Sequence, residues 1–127
     1  MPKFERFQIE SLKDYLYHSY IHDATIETTS YDREKKILTI KTFNSIYGEG
    51  LNLIFGEVKV VLSISGNNPG SRDTIISLTA EEDYSYLKNC TKVCGDSLFD
   101  SMYLLFQMFS GDELYIISEN VSIENVE

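Results

Sequence analysis

Two histidines and two aspartates are the residues whose types and spacing come closest to a chemical site. His18 and His22 are the only histidines of the chain and lie four residues apart, with Asp14 four residues earlier and Asp23 directly after His22. Because an α-helix repeats every 3.6 residues, positions 14, 18 and 22 fall close to one helix face. Two imidazoles and a carboxylate so placed could hold a metal ion or transfer a proton. The pattern is also typical of the solvated face of a surface helix, which is the interpretation we favour.

The rest of the sequence gives little support to a metal site or to an enzyme active site. Cys90 and Cys94 have a spacing seen in zinc sites, as do His18 and His22, but two cysteines in an intracellular chain are more often small buried hydrophobes. The sequence has no Gly-x-Ser-x-Gly turn and no glycine-rich phosphate loop. We therefore expect no metal, no cofactor and no enzymatic activity. The alternative is a small enzyme or ligand-binding domain with a cleft near His22 and Asp23.

The charge of the chain restricts the classes of partner. It has 20 acidic and 11 basic side chains, for a formal net charge of −9. This balance argues against binding nucleic acid or an anionic membrane, both of which need a basic surface. The stretch 111–127 has carboxylates and no Lys or Arg, which suits a basic protein partner, although negative charge also keeps a domain in solution. No signal peptide and no membrane-spanning apolar run are visible, so the expected location is the cytoplasm.

Tyrosines next to carboxylates indicate where a protein partner would bind. The chain has nine Tyr and no Trp. Tyrosine is favoured at interfaces because it combines a large contact area with one hydroxyl, and it is also good strand material. Tyrosines and carboxylates are neighbours in the predicted loop after residue 80. The predicted partner-binding residues are Glu81, Glu82, Asp83, Tyr84 and Tyr86.

One helix is predicted over residues 11–21. Ser11 is the expected N-cap, and Asp14 completes a capping box three residues later. Apolar and small residues at helical spacing form the expected inward face: Leu12, Tyr15, Leu16, Ser19 and Tyr20.

From Ala24 onward the pattern favours antiparallel strands. Residues 24–31 and 36–43 are predicted to form a hairpin, residues 51–55 a strand with Gly56 as a bulge, and residues 58–64 and 73–79 two further strands. Residues 66–70 form a predicted turn and residues 81–96 a loop. Residues 97–109 fit either a helix or a strand; we choose a strand paired with 113–119, because a tight turn then joins two apolar runs. The tail 120–127 is predicted to be a short turn.

The expected fold is therefore α+β: a single domain, 1–127, with one N-terminal helix packed on a curled, mostly antiparallel sheet of six to seven strands. Strands joined by short turns do not readily make a parallel sheet. The sheet face beneath the helix is predicted to bury Leu38, Ile40, Val58, Val60, Leu62 and Ile64.

The order of features resembles a loose group of small bacterial proteins that share a short helix, a His-Asp-Ala junction and a run of antiparallel strands. The matching residues are Leu16, the junction His22, Asp23 and Ala24, the strand end at Tyr31 and Asp32, and the stretches 110–114 and 122–124. Some small acidic proteins of this kind resemble immunity proteins, which neutralise a toxin by covering it. The resemblance supports His22 and Asp23 as a recurring junction and transfers no active residues. The acidity, the tyrosines and the lack of catalytic residues lead us to expect a non-enzymatic cytoplasmic protein-binding module.

Overall fold

The fold is α+β, with an N-terminal helix and an antiparallel sheet, as the sequence predicts. The computed structural model describes residues 2–66, 74–82 and 100–126. Within them, a 3-10 turn at Arg6–Gln8 leads into helix α1 at Ile9–Tyr17, and no helix is long and apolar enough to cross a membrane. The described strands are β1 Lys3–Glu5, β2 Thr25–Asp32, β3 Ile37–Asn44, β4 Glu49–Ile64, β5 Ile75–Glu81, β6 Met102–Met108 and β7 Glu113–Val126.

Strand β7 is the centre of the sheet. The strand order is β2-β3-β4-β7-β6-β5, and the pairings between these strands are antiparallel. One edge of β7 pairs with β4, from Val126 opposite Gly50 to Glu113 opposite Ile64. The other edge pairs with β6 at residues 113–118 and with β1 at residues 120–122. The predicted hairpin is present as the pairing of β6 with β7, and because both edges of β7 are paired, this strand runs through the middle of the sheet.

The sheet is not closed, but its two outer strands meet at one point. An isolated antiparallel bridge joins Thr25, at the start of β2, to Thr74, just before β5. The Asp23 N–H donates to the Ile75 carbonyl at 2.8 Å, and the Ile75 N–H donates to the Ala24 carbonyl at 2.8 Å. These bonds fix the junction between α1 and β2 to the edge of β5.

The apolar side of α1 packs on one face of the sheet. Ile9, Leu12 and Leu16 are buried in a cluster that includes Phe55 of β4 and Phe106 of β6. The two phenylalanine rings meet edge-on, with centroids 6.3 Å apart. Burial of each large aliphatic side chain stabilises the fold by about 1.5–3 kcal/mol, so this cluster holds the helix on the sheet.

Three of the four core residues predicted on β4 lie on the opposite face of the sheet. Val58 is in the cluster beneath the helix, together with Leu38 and Ile40, as predicted. The prediction is wrong for Val60, Leu62 and Ile64, which pack against a second cluster of Tyr103, Leu105, Tyr115 and Ile117. The register between β4 and β7 shifts between Val58 and Val60. One extra residue in a strand sends every later side chain to the other face, and the alternating sequence alone does not reveal that reversal.

Helix α1 begins and ends earlier than predicted. It covers residues 9–17, not 11–21, so Ser11 is inside the helix and is not its cap. A capping box does form, but at the preceding 3-10 turn, between Glu5 and Gln8. After Tyr17 the chain turns, with the Ser19 hydroxyl donating to the Leu16 carbonyl at 2.8 Å. This local bond competes with a further helical turn and accounts for the early end.

The remaining strand predictions are largely confirmed. The first hairpin is β2–β3, and residues 102–108 are a strand, not a helix. The segments 51–55 and 58–64 form one long strand, β4, and the tail 120–126 continues β7 where a turn was predicted. Residues 67–70 of the predicted turn and residues 83–96 of the predicted loop lie outside the described residues.

Candidate functional site

The His22–Asp23 junction is bonded to the edge of β5. The His22 Nδ1 atom forms a hydrogen bond with the Ile76 carbonyl oxygen, and because a carbonyl only accepts, Nδ1 carries the proton. The Nε2 atom lies 3.6 Å from the Asp23 carboxylate. Asp23 has a left-handed φ of 68° and gives its N–H to Ile75. The predicted dyad therefore exists as a contact, and both residues also hold the junction on β5.

The two histidines are not brought into one site. His18 follows the last residue of α1, and its Nε2 atom lies 3.5 Å from the Asp14 carboxylate, with 69% and 79% of the two side chains exposed. His18 and His22 line different recesses of the surface. Among residues 2–66, 74–82 and 100–126, no three His, Cys, Asp or Glu side chains are grouped to hold a metal ion. Cys90 and Cys94, whose spacing also occurs in zinc sites, lie outside these ranges.

A groove of about 490 Å³ lies between α1 and β5, and we call it the α1–β5 groove. Its apolar floor is buried. Leu16 of α1 and Ile21, which follows the helix, line one side, and Leu78 and Ala80 of β5 line the other. Tyr17 stands at the rim with 84% of its surface exposed. An apolar recess with a few polar groups at its edge is the usual form of a small-molecule binding site.

The groove brings together residues from both sites predicted from the sequence. His22 lines one part of it, and Glu81, predicted to bind a partner, lines it at the C-terminal end of β5. The Glu81 carboxylate lies 3.4 Å from the Lys13 ammonium, which is also 3.5 Å from Glu10. Partial desolvation lowers the pKa of Lys13, but attraction to the two carboxylates outweighs it and raises the pKa above the usual 10.5. Lys13 is therefore a fixed cation, and the carboxylates leave this end of the groove net negative.

Glu82 faces a second groove, of about 570 Å³, beside the 3-10 turn. The Arg6 guanidinium donates to the carbonyls of Glu82 and Ser101 and lies 3.5 Å from the Glu82 carboxylate. Phe7, on the same turn, is 82% exposed. The other carboxylates that line this groove are Glu5, Glu10, Asp100 and Glu119. Asp83, Tyr84 and Tyr86, the rest of the predicted partner-binding set, lie outside the described residues.

Sequence reasoning missed Asn44, which holds the His22 junction in place. Asn44 is buried at the end of β3, and its amide donates to the carbonyls of Tyr20 and His22 at 3.1 and 3.0 Å. Its carbonyl accepts the N–H groups of Ile46 and Tyr47 at 3.0 and 3.4 Å. Asparagine side chains commonly accept such bonds from the backbone of a following turn, so the position of Asn44 before the turn could have been recognised from the sequence. The link to the junction is long-range and leaves no local pattern.

The chain was compared with family models, curated proteins and solved structures, and none of them matches.

Proposed function

We propose that this protein is a non-enzymatic, cytoplasmic module that binds another protein, and that the α1–β5 groove is its docking surface. The observation that supports the proposal is the combination of a buried apolar floor with an almost fully exposed tyrosine at the rim. Exposed aromatic side chains beside apolar pockets are the usual anchors of protein interfaces. The expected partner is basic, because the chain carries a net charge of −9. An immunity-like role, in which the module covers a toxin, is the form of this function that the resemblance favours.

The charges around the groove suit its proposed partner. Glu81 and Glu10 flank the single Lys13, and side-chain exposures of 46% and 83% leave both carboxylates open to solvent. A basic segment would meet these carboxylates while an apolar side chain enters the groove. Rim charges of this kind mainly accelerate encounter and select the partner, whereas the buried centre supplies most of the affinity.

The test is quantitative capture of partners from a native lysate with the wild type and matched variants. Tyr17→Ser removes the rim anchor at a position too exposed to affect folding. Tyr31→Ser is the control, since Tyr31 is 49% exposed on β2. The proposal expects a basic protein that wild type and Tyr31→Ser retain and that Tyr17→Ser loses. Equal capture by the two variants, or no protein above background with the wild type, contradicts it.

A second candidate function is favoured by the position of His22 in the groove. A small enzyme or ligand-binding domain would use the apolar floor for the body of a small molecule and His22 for a polar group. A fragment screen by NMR distinguishes this function from protein binding. It expects saturable shifts of floor residues such as Leu78 that weaken in His22→Ala and persist in Tyr17→Ser. Fragments that fail to shift the floor residues exclude this second candidate.

A further inference from the structure

A separate recess of about 340 Å³ lies between the end of α1 and the end of β7. We call it the tyrosine recess, and its lining residues are Asp14, Tyr15, His18, Ser19, Tyr20 and Asn125. None of them is a lysine or arginine. The Asp14 carboxylate is 79% exposed, and the Tyr15 hydroxyl accepts a hydrogen bond from the Asn125 amide at 3.1 Å. The recess therefore combines hydrogen-bond acceptors with aromatic side chains.

The aromatic side of the recess is held in position. The Tyr20 ring packs against the Tyr47 ring, with centroids 4.9 Å apart and planes tilted by 37°. Both rings are accessible, because Tyr20 is 43% and Tyr47 63% exposed. Buried Asn44 bonds to the backbone of both residues, so the ring pair is fixed from below by one side chain. A site whose parts are already ordered loses less entropy when a ligand binds.

We propose that the tyrosine recess binds the guanidinium group of an arginine side chain carried by another protein. A guanidinium is planar, so it can stack on a tyrosine ring while its N–H groups reach a carboxylate. Asp14 supplies the carboxylate, and Tyr20 supplies the ring. A lysine ammonium lacks the planar face and the fork of donors, and it is the weaker ligand here. The arginine replaces His18 at Asp14, where the existing 3.5 Å contact is exposed and easily displaced.

This site is independent of the α1–β5 groove, and it can be tested without an identified partner. The probe is N-acetyl-arginine N-methylamide, titrated into ¹⁵N-labelled protein, with the neutral citrulline analogue as its isosteric control. The expected result is saturable shifts of Asp14, Tyr20 and their neighbours, with half-saturation on the order of 10 mM. Asp14→Asn is expected to weaken binding by about two- to fivefold, the usual loss for an exposed ion pair.

A matched variant separates a specific site from general attraction to an acidic protein. Glu34→Gln removes the same charge in the exposed β2–β3 turn and is expected to leave the titration unchanged. Tyr20→Leu keeps an apolar side chain but removes the aromatic face, so this variant is expected to bind the probe several-fold more weakly. Its folding is checked by circular dichroism. Equal shifts with citrulline, equal losses in Glu34→Gln and Asp14→Asn, or unchanged binding by Tyr20→Leu would each overturn the assignment.

Discussion

Replacement of Asn44 by alanine is expected to destabilise the protein more than any other polar-to-alanine change at the end of a strand. The Asn44 side chain is 1% exposed, and its amide makes four hydrogen bonds to the backbone of two turns. Alanine leaves these groups without that partner and opens a small cavity. An unsatisfied buried polar group costs about 1–3 kcal/mol, and water reaches part of these turns, so we expect a total loss of about 2–4 kcal/mol.

The loss is measured by urea denaturation, and the midpoint is compared at constant slope so that changes in the unfolded state are not mistaken for lost stability. Asn52→Ala is the matched control, because Asn52 is half-buried on β4 and its amide forms no hydrogen bond to a described residue. We expect this control to lose less than about 1 kcal/mol. Asn44→Asp keeps the acceptor but removes both donated bonds, and it is expected to fall close to alanine. If Asn44→Ala unfolds at the same urea concentration as Asn52→Ala, the role assigned to Asn44 is refuted.

Three further predictions concern other fixed points of the fold. Because the neighbouring carboxylates raise the pKa of Lys13, its ion pairs stabilise the folded state below the usual pKa of 10.5 and are lost as the pH rises further. In thermal melts, the melting temperature of the wild type should exceed that of Lys13→Met in full at about pH 9, and the difference should shrink above pH 10.5. A difference that grows with pH would contradict this prediction. Arg6→Ala should lose about 1–2 kcal/mol in urea denaturation, since its bond to the Ser101 carbonyl joins the 3-10 turn to the start of β6; a loss below about 0.5 kcal/mol would show that this bond does not stabilise the fold. Gly66→Ala should lose about 1–3 kcal/mol, because a Cβ there would lie 2.3 Å from the backbone carbon of Gly111, whereas an unchanged urea midpoint would mean that Gly66 and Gly111 are not in contact.

The local patterns of the chain predict most of the sheet and less of the helix. Alternating and β-branched runs identify β2, β3 and β6, because each is stabilised by near neighbours in sequence. The strand pairing of residues 120–126 depends on β1 and β4, which are distant in the chain. The face reversal in β4 depends on a bulge opposite β7. Long-range pairing of this kind leaves little trace in a local window, so these features were predicted wrongly.

The candidate site is predictable only in part, for the same reason. His22 and Glu81 are candidate site residues because of their residue types, but their spacing in the sequence does not show that they line the same groove. That arrangement arises because the backbone of β5 binds the junction after α1, and residues 23 and 75 are far apart in the sequence. The exposure of the Tyr17 side chain was also not predicted from the sequence. Tyr17 lies at the rim because helix α1 packs its Leu12 and Leu16 side against the sheet.

The central claim is that a protein partner docks in the α1–β5 groove. Its most direct test is hydrogen–deuterium exchange of the protein alone and in complex with the protein that it captures. The account predicts new protection in peptides covering residues 13–22 and 76–81, with no change along β2. Protection confined to β2 or to the 3-10 turn would contradict the account and move the docking surface elsewhere.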